Sequence, residues 1–134
     1  MRFLREIKRG STKFLILSLL KEKEMYGYEL LKEIEKKSGG YFKLDEGTLY
    51  PALHSLEKDG FIVSSWRKSQ KEGLPDRKYY SITKKGIKFF EETSKEWNQF
   101  AKNLSQFLFT RTVSNKIIDH KYIHEMKTFK VMSL

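Results

Sequence analysis

The chain contains no cysteine, so it cannot carry a disulfide framework, a thiolate zinc site or a cysteine nucleophile, and the fold must hold by packing alone. It also has no apolar run approaching the roughly 18 to 20 residues that span a bilayer, so no membrane partner is expected. The basic start, Met1 to Arg9, followed by the apolar Phe14 to Leu20, imitates an export signal. That run is short, however, and meets Lys21-Glu22-Lys23 with no small-residue cleavage site, so it reads as a core helix and the expected location is the cytoplasm. Internal repeats and low-complexity segments are missing. So are an activated nucleophile motif, a glycine-rich phosphate cradle and an acid-base pair that can be placed in a pocket, which argues against an enzyme and implies no cofactor.

What the chain does have is positive charge. Lys and Arg number 27 against 17 Asp and Glu, a net charge of +10 at pH 7, and such a surplus favours a polyanionic partner, of which double-stranded DNA is the expected one. The opposing reading is a basic surface with no polyanion to bind. With 134 residues, 39% of them hydrophobic, there is material for one compact core and too little length for two ordinary domains.

Ser11 or Thr12 is placed to cap a first helix carrying Phe14, Leu15, Leu17, Leu19 and Leu20. A second helix follows Met25-Tyr26-Gly27, with Leu30, Leu31 and Ile34 on one face, and Gly39-Gly40 stops it. After an extended link from Tyr41 to Leu44, Asp45 is a good N-cap and Leu49, Leu53 and Leu56 recur at four and three residues, which predicts a third helix over 46–58. Pro51 removes a backbone donor there, a difficulty that disappears if the regular turns begin nearer Thr48. Phe61 to Trp66 and Lys78 to Ile82 read as the legs of a hairpin whose long polar tip includes Gly73 and Pro75. Thr83 caps a last helix on which Phe90, Thr93, Trp97, Phe100, Leu104 and Phe107 or Leu108 alternate steps of three and four, a stripe too long to stand uncovered. The tail from Thr110 has a weaker stripe (Ile118, Tyr122, Met126, Phe129) and is expected to be either a last helix or disordered.

The expected fold class is therefore mainly α with a small β-hairpin wing: a winged helix-turn-helix domain over residues 1–83, a dimerisation helix over 84–109, and a tail over 110–134. Opposite its leucines the third helix offers Thr48, Tyr50, His54 and Ser55, with Lys58 at its end, groups suited to base edges and phosphates. The wing adds Arg67, Lys68, Lys71, Arg77 and Lys78, partly offset by Glu72 and Asp76. An ordinary solvated face and a solvated loop are the plain alternatives. In the tail, His120 and His124 stand one helical turn apart beside Glu125, but without a third strong ligand on that face they read as surface residues, and no metal site is expected.

Several stretches resemble the PadR-like transcriptional regulators: Tyr26-Gly27-Tyr28-Glu29-Leu30, then Glu46-Gly47-Thr48-Leu49-Tyr50-Pro51-Ala52-Leu53, Leu56-Glu57-Lys58-Asp59-Gly60, and Arg77-Lys78-Tyr79-Tyr80 with Thr83-Lys84-Lys85-Gly86 after the wing. The resemblance covers roughly residues 10 to 109. It implies a homodimeric, usually repressing regulator that binds a pseudo-palindromic operator and, in many members, releases it on binding a small molecule. It assigns Tyr28, Thr48, Tyr50 and Tyr79 to the DNA-facing group, and the helix from Thr83 to Phe109, with Phe90, Trp97, Phe100, Leu104, Phe107 and Leu108, to dimerisation. Trp97 matches a tryptophan that stacks on planar aromatic ligands in similar regulators of multidrug response, against the simpler reading that it fills the dimer core. Asp76 departs from the proline or basic residue the family often has before Arg-Lys-Tyr-Tyr, and the tail after Thr110 has no family pattern. A winged helix can also dock proteins through the same third helix, so a protein-interaction module is the rival function.

Overall fold

A computed structural model describes residues 2–108, and the tail, with its histidines, lies outside them. The elements run α1 (Arg2–Gly10), α2 (Thr12–Leu20), β1 (Met25–Tyr26), α3 (Gly27–Lys37), α4 (Glu46–Lys58), β2 (Ile62–Arg67), β3 (Arg77–Ile82) and α5 (Lys84–Leu108). Residues through Glu91 form one compact unit and a second begins at Glu92, part-way along α5.

The core of the first unit is made where α2, α3 and α4 pack on one face of the sheet. Ile16, Leu17, Leu30, Leu49, Leu53, Leu56, Ile62 and Met25 are all buried, and Tyr80 joins them from β3. The leucine series of α4 thus lies inward as its spacing requires, and the helix has the expected bounds. Asp45 caps it, accepting a hydrogen bond from the Thr48 amide at 2.8 Å. Pro51 is nonetheless in the second turn, because the helix starts at Glu46 and not near Thr48. The Gly47 carbonyl therefore loses its helical donor, at a place where both residues are exposed and water can replace it.

At the N-terminus the structure corrects the expected cap. Ser11 is itself helical, with φ −82° and ψ −10°, and makes no side-chain cap; its hydroxyl donates back to the Ile7 carbonyl at 2.8 Å. The preceding turn of α1, which the sequence pattern did not predict, supplies the acceptors for the Ser11 amide, the Ile7 and Lys8 carbonyls, so that Ser11 continues the helical backbone instead of capping it. At the other end of the domain Thr83 does cap α5, accepting from the Gly86 amide at 3.0 Å while donating to the Gly60 carbonyl at 2.7 Å. Gly86 is the one buried residue of α5, and a Cβ there would run into the Phe61 carbonyl and the Ile82 side chain.

The wing is one part of a three-stranded antiparallel sheet ordered β1-β3-β2. The two-residue β1 was not foreseen; it pairs Met25 with Tyr80 and Tyr26 with Tyr79. Opposite it, β2 pairs with β3 from Ile62–Ile82 to Arg67–Arg77. Strand alternation sends Met25, Tyr80 and Ile62 inward and leaves Tyr26, Tyr79, Arg67 and Arg77 on the outer face.

Candidate nucleic-acid interface

With its leucines inward, α4 turns Tyr50, His54 and Lys58 to solvent. Thr48 and Ser55 are half-buried on a flank of the helix, and Ser55 Oγ accepts a hydrogen bond from Lys13 Nζ at 2.7 Å. Lys13 thereby joins the face from α2. Nothing in the α4 sequence points to it, since the contact exists only once α2 lies beside α4. On another flank, the Tyr50 ring lies over Gly27, where a Cβ would come within 2.6 Å of the phenol oxygen. Tyr50 is thus brought to the first turn of α3, the turn that carries the exposed Tyr28 with the Lys32 ammonium 4.7 Å above its ring.

The five cations of the wing divide into two groups. Arg67 forms an ion pair and hydrogen bond with Glu24, to which Ser81 also donates at 3.3 Å. The hydrogen bond to Arg67 holds the Glu24 carboxyl below the usual carboxylate range, and the same bond raises the arginine. The Arg67 guanidinium also lies 4.3 Å over the Tyr79 ring and that of Arg77 lies 4.5 Å over Tyr26, the two tyrosines meeting edge to face at 5.5 Å. Lys78 is on the other face of the sheet, 4.0 Å from a Glu57 oxygen and 5.6 Å from the Tyr80 ring centre. The second Glu57 oxygen is buried without a hydrogen-bond partner, so this ammonium is the nearby compensating charge. Burial first, then Glu57 and Tyr50, push the Tyr80 phenol above its ordinary pKa. Lys68 and Lys71, at the tip, have no ion-pair partner among the described residues. Asp76 has a structural task in that tip, its carboxylate accepting from the Ser69 amide at 3.3 Å.

The model of the Transcriptional regulator PadR-like family matches residues 16–92, a span that takes in α3, α4, the whole sheet and the start of α5. The chain belongs to the PadR-like family of transcriptional regulators. It is 35% identical over 103 residues to an uncharacterized protein of Lysinibacillus sphaericus, covering 77% of this chain and 93% of that one. A PadR-family transcriptional regulator of Eggerthella lenta has a similar structure, with a TM-score of 0.72 and 30% identity over 82% of this chain and 92% of the other. The negative transcriptional regulator PadR of Bacillus subtilis is 28% identical over 74 residues, 55% of this chain but only 40% of its own length. As a PadR-like protein with a winged helix fold the chain is a DNA-binding transcription regulator and not an enzyme. No helix among the described residues is long and apolar enough to cross a membrane.

The second unit contributes the distal part of α5. Trp97, Phe100, Leu104, Phe107 and Leu108 are all exposed there, and Trp97 lies 5.7 Å from Phe100, ring centre to ring centre. Phe90 belongs instead to the first unit, stacked on Phe14 at 4.8 Å.

Proposed function

We propose that this PadR-like regulator acts as a homodimeric repressor on an inverted-repeat operator. Its two α4 helices enter successive major grooves about 34 Å apart and the wings follow the flanking backbone. The observation that carries this reading is the division of α4, whose fully buried leucine face leaves Tyr50, His54 and Lys58 outward, next to Tyr28 and Lys13. Thr48 and Ser55 complete that face. In the wing, Lys68, Lys71 and Arg77, which have no ion-pair partner among the described residues, are the cations available to phosphates, while Arg67 and Lys78, paired with Glu24 and Glu57, and Tyr79 stiffen the stalk that carries them. The exposed stripe on α5 supplies the dimer seam, and a planar aromatic effector between the halves, stacked on Trp97, would weaken operator binding by changing the separation of the reading heads. Repression rests on family membership and on the named role of the Bacillus subtilis relative.

Selection of bound sequences from a random duplex pool tests symmetry and spacing together. The expected product is an inverted repeat bound by two chains, with affinity falling linearly in log-log terms as salt rises. An asymmetric single site occupied by a monomer would refute the dimer mechanism, and affinity indifferent to salt would point to a protein partner.

A further inference from the structure

Trp66 is 69% exposed, more than any other large hydrophobic residue whose side chain is described in the first unit. Its place on β2 gives that exposure a direction. Ile62, Ser64 and Trp66 share one face of the strand, and Ile62 is fully buried in the core at the end near α4. Trp66 pairs across the ladder with Lys78, whose ammonium reaches Glu57 of α4. The indole therefore stands on the α4 side of the sheet, beyond the reach of the core, in the angle between the recognition helix and the wing tip. Lys68 follows it two residues later, and neither it nor Lys71 is paired among the described residues. An apolar ring framed by cations suits the wall of a duplex, where deoxyribose carbons alternate with phosphate oxygens.

We propose that Trp66 is itself a DNA contact, its ring packed on the sugars beside the wing and its indole N–H donating to a phosphate oxygen. The proposal rests on the DNA-binding reading above and adds a contact of a different physical kind. Lysine contacts release counterions and so set the slope of affinity against salt; an apolar contact releases none and shifts affinity by a constant factor.

The two parts can be separated by titrating a mixed-sequence duplex several turns long across a salt series. For Trp66→Ala we expect binding about tenfold weaker at every salt concentration with the slope unchanged. Trp66→Phe should lose less, and Lys68→Ala should flatten the slope by about one phosphate. Since the chain has two tryptophans, 5-fluorotryptophan labelling gives two fluorine resonances, and the one missing from Trp66→Phe belongs to Trp66. That resonance should move as duplex is added and stop at saturation. Wild-type binding with an unmoved Trp66 resonance, or with undiminished affinity in Trp66→Ala, overturns the proposal. A resonance that moves with protein concentration alone overturns it too, by placing the indole between copies of the chain. If wild type binds no duplex at any salt concentration, the DNA-binding reading fails and takes the proposal with it.

Discussion

Helix α4 and the distal half of α5 carry apolar residues at the same alternating spacing, yet their surroundings are opposite. Leu49, Leu53 and Leu56 are at most 1% exposed, whereas Trp97, Phe100 and Leu104 are 41 to 55% exposed. For α4 the cover is supplied within the chain by α2, α3 and the sheet. For the α5 stripe we assign it to a second copy of the same helix. Periodicity thus reports that a helix has an apolar face; the identity of whatever buries it is a property of the assembly.

The sharpest test of this contrast lies where α5 leaves the winged domain. Gly86→Ala forces a methyl into the Phe61 carbonyl, backbone that cannot yield cheaply, and should cost about 3 kcal/mol or more in denaturant unfolding. Leu53→Ala should cost about 3 kcal/mol at every protein concentration, as a cavity in a closed core does. Leu104→Ala, measured at high dilution, should cost under about 1 kcal/mol, while Leu104→Glu should abolish the proposed dimer, with sedimentation then reporting monomer at concentrations where wild type associates. Were Leu104→Ala as costly as Leu53→Ala in dilute monomer, the stripe would be covered within one chain and the contrast would collapse. A further small effect concerns the outward face of α4. Tyr50→Phe should weaken operator binding by about 1 kcal/mol, one hydrogen bond to a charged group, with unfolding unchanged. Equal affinity at matched salt would remove that hydroxyl from the interface.

Elements whose signal is local were legible in advance. The third helix has its cap at Asp45 and its leucine series in one continuous stretch, and the hairpin legs and the Thr83 cap are equally self-contained. What escaped is what depends on distant residues. Strand β1 is two residues long, too short for alternation to register, and exists because Tyr79 and Tyr80 offer it a ladder. Ser11 has the chemistry of a cap but follows a helix whose backbone it continues, and its hydroxyl turns back to that helix. Counting charges on the wing showed five cations, but not that Glu24 and Glu57 come from elsewhere to meet Arg67 and Lys78. Lys13 was invisible for the same reason.

Strand β1 ends at Tyr26 and α3 begins at Gly27, with no residue between. Because β1 is bonded to β3, the central strand of the wing, the stalk and the second helix of the motif are coupled without slack. A tug on one is transmitted directly to the other. On the proposed DNA-binding reading, the stalk of the wing and the second helix would therefore meet a duplex already ordered relative to each other, which lowers the conformational entropy given up on binding.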